Sequence, residues 1–334
     1  MKRKSFYKLV LARFWREYTS RAATVFVFVV VLLAVLAPFL ANNKPYVYNH
    51  EGKKIFPVLE DAVLLGRFIS YPEIRGIDFK AKQKLGRGAF VLPPIPYSPT
   101  EYDFDSILLG PSAEHWMGTD DQGRDIASRM IHGAQISLSV GLVAVVISAI
   151  LGIFIGAIAG FFGGKIDLFI SRIIEVVMCF PTFFLILTIL AVVEANIIYI
   201  MIVIGFTGWT GVARLVRGEF LKLKQMDFVI SSQALGAKPS RTIFKHVLPN
   251  ALSPVLVALT FGVASSIFIE SSLSFLGFGV QPPTPSWGQI LSQSREFMDI
   301  AWWLMVFPGV AIFLTITSFN LIGEGLRDSI DPRS

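Results

Sequence analysis

The chain has 334 residues, of which 53% are hydrophobic and only 16% charged, and its mean hydropathy is +0.61. A soluble globular domain carries about 25% charged residues, so much of this surface does not face water and an ordinary soluble domain is excluded. The net charge of +6 comes from Lys and Arg clustered between apolar runs, a pattern of cytoplasmic membrane-protein loops and not of a nucleic-acid partner. The single cysteine, Cys179, cannot form an internal disulfide and belongs to no metal cluster. Inside an apolar run it reads as a small buried residue.

The N-terminus carries Lys2, Arg3, Lys4, Lys8, Arg13, Arg16 and Arg21 against one acid, Glu17. Phe6, Leu9, Val10, Phe14 and Trp15 interleave with these bases, so residues 5–18 read as an interfacial helix within a cytoplasmic segment, 1–21. The first span, 22–41, is longer than a signal-peptide core and lacks an A-x-A site, which makes it an uncleaved anchor. The positive flank puts the N-terminus in the cytoplasm.

Residues 42–133 then form a large extracytoplasmic segment. Its run Leu92-Pro93-Pro94-Ile95-Pro96-Tyr97-Ser98-Pro99 cannot be regular helix or sheet. A small subdomain or an ordered loop both suit it, as do partner docking and a packed cap. His115-Trp116-Met117-Gly118-Thr119-Asp120-Asp121-Gln122-Gly123-Arg124-Asp125 reads as a tight Gly/Asp turn with a Trp anchor. Its aspartates lack the spacing of a calcium loop.

Five further spans follow, over residues 136–162, 168–193, 196–213, 251–269 and 302–322, for about six in all. The core is thus 134–322, and the tail 323–334 is cytoplasmic. In the second span Ala144, Ser148, Gly152, Gly156 and Gly160 recur every four residues. They fall on one helix face, where a neighbouring helix can approach closely. Arg172 and Glu175 are three apart in the third span and can pair, and Glu270 ends the fifth. Structural pairing or snorkelling is the expected role of all three. A short turn, 194–196, separates the third and fourth spans.

Charge tests the topology. The cytoplasmic loop 214–250 holds Arg214, Arg217, Lys222, Lys224, Lys238, Arg241 and Lys245 against Glu219 and Asp227, and the outside loop 271–301 has only Arg295 as a base. Both agree with the positive-inside rule. Within 227–250, helical spacing stops at Gly236-Ala237 and resumes after Pro239. Gly stops helices and Pro starts them, so two short amphipathic helices joined by a turn are expected, suited to a groove on a partner or to this chain's own helix ends.

No phosphate loop, H-E-x-x-H, G-x-S-x-G or Gly-rich dinucleotide turn occurs in the sequence, so no enzyme activity is expected and any ATPase is another chain. A secondary transporter would show midplane charges or broken helices, and little of either is legible. A membrane-bound enzyme needs convergent catalytic groups, and none is visible. A structural scaffold is disfavoured by the hairpin.

The hairpin resembles the EAA loop of permease subunits in ATP-binding-cassette importers. Asp227, Val229, Ala234, Leu235, Gly236, Ala237, Ile243, His246, Leu248, Pro249 and Asn250 match its peptide-importer form, while Ile230-Ser231-Ser232 replaces E-A-A. Residues 115–125 resemble the H-W-x-G-T-D-x-x-G-R-D signature of dipeptide and oligopeptide permeases. Residues 160–164, 274–279, 285–288 and 323–332 match as well, in order, along nearly the whole chain. The insert 44–58 resembles that of long-loop members.

The resemblance implies an all-α membrane protein of the type I importer permease (MetI-like) fold, with a large extracytoplasmic loop after the first of six transmembrane helices. It implies a multi-pass protein of the plasma (inner) membrane with both termini cytoplasmic, importing di- or oligopeptides or peptide-like compounds. The implied partners are a second permease subunit in a heterodimer, two cytoplasmic ATPases, an extracytoplasmic peptide-binding protein, the lipid bilayer and the peptide substrate. This chain would bind no cofactor, and ATP–Mg would be used by the ATPases. Movement would reach the spans through the hairpin.

Overall fold

A computed structural model describes residues 6–50, 53–61, 71–74, 76–84, 90–193 and 196–330. The chain opens with α1 (Phe6–Phe14), α2 (Tyr18–Val35) and the one-turn α3 (Ala37–Leu40). A two-stranded antiparallel hairpin follows, β1 (Tyr48–His50) and β2 (Lys53–Ile55), with Tyr48 opposite Ile55. After α4 (Phe79–Lys84) come α5 (Ile126–Phe162), α6 (Gly164–Met178), α7 (Thr182–Val192) and α8 (Ile197–Leu223). The rest is α9 (Asp227–Ala234), α10 (Pro239–Thr242), a π-turn over Ile243–Val247, α11 (Leu248–Phe275), α12 (Trp287–Phe297) and α13 (Trp303–Ile330).

Among the described residues, five helical stretches are long and apolar enough to cross a membrane, or six if the bent pair α6–α7 is one span. The pair is bent by 77°, which corrects the expectation of one unbroken third span: Pro181 offers no N–H to the helix ladder. Cys179 is exposed, not buried as expected, because it sits at that break. Glu270 is fully buried, so it does not snorkel; Ser271 Oγ lies 3.4 Å from its carboxylate. Of the expected turn 194–196, Glu194 and Ala195 lie outside the described residues, and Asn196 caps α8 by accepting the Ile198 N–H at 2.9 Å. Residues 1–5 and 331–334 also lie outside them, as do parts of the inserted segment.

The chain divides into two compact units. The first comprises Met1–Val27, Ser139–Leu273 and Phe313–Ser334. Its core is α5 against α8. The Ser148 hydroxyl donates to the Gly205 carbonyl at 2.7 Å. A Cβ on Gly152 would lie 2.5 Å from Val212 Cβ, and one on Gly160 2.5 Å from Phe220 Cβ. Gly156 faces Ala213 and Val216 as closely, and Ala144 is fully buried against Gly205. The small residues let two backbones approach, so that dispersion contacts form along about four turns.

The second unit comprises Phe28–Leu138 and Ser274–Ile312. Tyr48, Phe79 and Phe90 pack edge to face, with ring centroids 5.1–6.1 Å apart. Lys44 pairs with Glu60 and Asp61, and Lys80 with Glu101. Between prolines, Ile95 still uses its backbone: it donates to the Leu40 carbonyl and accepts the Asn42 N–H, each at 3.0 Å.

Candidate functional site

The hairpin begins where α8 runs on past its apolar stretch. Asp227 lies in the first turn of α9, where a negative charge meets the positive end of the helix dipole. The arm ends in a Schellman cap: the Gly236 N–H donates to the Gln233 carbonyl at 2.9 Å and the Ala237 N–H to the Ser232 carbonyl at 3.1 Å. That cap needs a left-handed residue, and Gly236 has φ +78°. Pro239 then stands in the first turn of α10, where its missing N–H costs nothing.

The second arm is not a separate helix, as expected, but continues through Ile243–Val247 into α11. Pro249 falls in the first turn of α11, and the wide π-turn ahead of it absorbs the interrupted ladder. His246 contributes its carbonyl to Asn250 Nδ2 at 2.6 Å.

One side of the hairpin is rooted. Val229 and Val247 are fully buried in one cluster with Val216 and Phe220 of α8, Ala157 of α5, and Ala251 and Val255 of α11. Ile243 packs against the same cluster. The other side is open and apolar: Phe228, Ile230, Phe244 and above all Leu235, which is 87% exposed. Ala234 is exposed too, and Ala237 half-buried. Phe228 and Phe244 belong to no motif in the sequence, although they flank the buried valines. Ile230 occupies the position of the Glu in the E-A-A pattern and points outward.

A brace joins α8 to α6. Arg217 donates from Nε and Nη2 to Asp167 of α6, the second bond at 2.8 Å. Opposite charges at the two ends of adjacent loops were the available signal.

In the second unit, residues 115–125 form a knot. The buried Asp120 carboxylate accepts the backbone N–H groups of Gln122 and Arg124, each at 2.9 Å, and Arg124 Nε at 2.7 Å. Arg129 Nε lies 3.5 Å from it, and that guanidinium also donates to Gln289 of α12. The Trp303 indole donates to the Thr119 carbonyl at 3.0 Å. His115 Nδ1 lies 2.9 Å from Asp125, which also accepts the Ser128 N–H at 2.7 Å. Burial pushes the Asp125 carboxyl above the usual carboxylate range, against those two hydrogen bonds. Burial, reinforced by Glu114 and Asp125, pushes the Tyr97 phenol up to about 12. The two carboxylates are held within the knot, while Arg124 Nη1 and Arg129 Nε make no hydrogen bond, and among the described residues no group of three or more His, Cys, Asp or Glu could hold a metal ion.

The family described as "Binding-protein-dependent transport system inner membrane component" matches residues 152–334. The glutathione transport system permease protein GsiD of Salmonella typhimurium is 47% identical over 239 residues, 71% of this chain and 79% of that protein. Its namesake in Escherichia coli O157:H7 is 45% identical over the same lengths. A structure of the MetNI methionine ABC transporter in an inward-facing conformation superposes with a TM-score of 0.50 at 18% identity, covering 62% of this chain and 98% of that one. That likeness concerns the fold.

Proposed function

The chain belongs to the family of binding-protein-dependent transport system inner membrane components, and from that premise we propose that it is the second, C-type permease of an ATP-driven importer for peptides or peptide-like compounds. It is the permease component of an ABC importer, a multi-pass inner-membrane protein with the type I importer permease fold. Such importers combine a second permease, separate ATPase subunits and a substrate-binding protein. In our reading the second permease makes a heterodimer with this chain, each supplying half of the pathway. Two cytoplasmic ATPases use ATP–Mg and grip the hairpin. The delivery protein binds peptides outside, both termini are cytoplasmic, and residues 42–133 are extracytoplasmic. A peptide cargo is supported by relatives named for glutathione transport.

The hairpin carries this reading: its exposed Phe228, Ile230, Leu235 and Phe244 offer an apolar surface outside the bilayer, while Val229 and Val247 are rooted among three spans. An apolar helical hairpin suits a groove on a partner, and its continuity with α8 and α11 transmits a push. The test is ATP-dependent uptake of labelled glutathione and tripeptides by the chain reconstituted with its partner subunits. Uptake is expected with this chain and none without it. Failure to take up any peptide, with intact uptake of another solute, overturns the cargo. Labelling of a Ser98→Cys variant only from the cytoplasmic side overturns the topology.

A further inference from the structure

We infer that the face of α6 carrying Arg172, Glu175 and Cys179 lines a water-filled stretch of the translocation pathway and meets hydrated, charged cargo there. The inference rests on the chain being a permease, not on its cargo being a peptide.

Helix α6 buries one side only. Ile174 packs with Trp209 and Ala213 of α8, and Asp167 is held by Arg217. Arg172 is two residues from Ile174, about 200° around the helix. It pairs with Glu175 at 2.6 Å, and the two side chains are 70% and 59% exposed. Measured from the brace at Asp167, Arg172 lies roughly 7 Å and Glu175 roughly 12 Å along the helix, within the apolar run that α6 and α7 make together. A charged pair turned toward lipid at that depth is strongly disfavoured; charges inside membrane proteins face a bundle interior or water.

The backbone one turn on makes the same demand independently. Between α6 and α7 the chain bends by 77°, and Met178, Cys179, Phe180 and Pro181 are all exposed. The break releases carbonyls at the end of α6 from the helical ladder, and Pro181 brings no N–H to replace one. Non-helical backbone at membrane depth persists only inside protein or beside a water-filled cavity. Lipid would satisfy neither the ion pair nor the open backbone, and water satisfies both.

Cys179, the single cysteine of the chain, sits one turn beyond Glu175 on this face and is a native probe. The assembled importer, with cysteine-free partner subunits, is reconstituted in proteoliposomes and treated with cationic and anionic methanethiosulfonates. Both water-soluble reagents are expected to modify Cys179. Glu175→Gln is expected to lower the ratio of cationic to anionic rates about tenfold at low salt, each rate moving about threefold in opposite directions, from the loss of one charge roughly 6 Å away in water. Modification only by a neutral, membrane-permeant reagent puts the face in lipid. Modification by no reagent buries it against another chain. Either result overturns the inference, as does an unchanged ratio in Glu175→Gln, and the first measurement needs no substitution. Because the readout is labelling and not uptake, it fails independently of the peptide assignment.

Discussion

Arg217 on α8 holds the Asp167 carboxylate on α6 by two parallel hydrogen bonds, tying the helix that feeds the hairpin to the helix that carries the bend. A forked guanidinium–carboxylate pair is stronger and more directional than a single contact. The side chains are 31% and 17% exposed, so solvent screens part of the gain. A double-mutant cycle over Asp167→Asn and Arg217→Gln, read by thermal unfolding in detergent, is expected to give a coupling of about 1 kcal/mol. Arg217→Lys should not restore it, since an ammonium cannot make the fork. Additive single effects would refute the brace.

The cap at Gly236 separates backbone strain from bulk. A Cβ there meets nothing within 4 Å, yet φ is +78°. Gly236→Ala should therefore cost only the left-handed penalty, about 1 kcal/mol, and lower uptake slightly. Gly236→Trp adds bulk on the open side beside Leu235, and Gly236→Pro is barred by its fixed φ. Both are expected to abolish ATP-driven uptake while the chain still inserts at normal levels, as blotting of membranes will show. Normal uptake in the Trp variant would remove the coupling role.

Most of the spans are legible in the sequence because an uncharged apolar run of about 20 residues matches the thickness of a bilayer and exceeds what a soluble core helix needs. The broken third span is not, because apolarity continues through Phe180 and Pro181 and hides a break made by one missing N–H. Nor does the local pattern reveal that Glu270, at the end of an apolar run, is fully buried. In the hairpin, Gly236 and Pro239 are local punctuation and mark the turn. The π-turn over Ile243–Val247, which lets the second arm run on through Pro249 into α11, has no such mark. The open side of the hairpin is legible only once Val229 and Val247 are known to be rooted, since Phe228 and Ile230 look equally suited to a core.

Val229 and Leu235, six residues apart, should behave in opposite ways. Val229 is fully buried, so Val229→Ala should lower stability by roughly 1–2 kcal/mol through the cavity it leaves. Leu235 is 87% exposed, so Leu235→Ala should leave stability within about 0.5 kcal/mol but weaken co-purification of the ATPases. Thermal unfolding of the isolated permease and pull-down of the complex read the two effects separately. Equal ATPase recovery from wild type and Leu235→Ala would show that the open side is not the docking face.

The knot at residues 115–125 predicts a pH dependence of definite sign. Burial raises the Asp125 carboxyl above its ordinary value of 3.8, so the folded state holds this proton more tightly than the unfolded chain. Between the ordinary value and the raised one, folding therefore binds protons, and the contribution of Asp125 to stability falls as pH rises through that window. Below 3.8 the contribution is complete. Asp121 is raised too, chiefly by burial and then by Asp120, and acts in the same direction. Asp125→Asn keeps an acceptor for the Ser128 N–H but does not titrate. Its melting temperature should decline less steeply with rising pH across the window than that of the wild type. A wild-type curve that instead climbs more steeply than the variant's would mean that the pairing of Asp125 with His115 outweighs its burial.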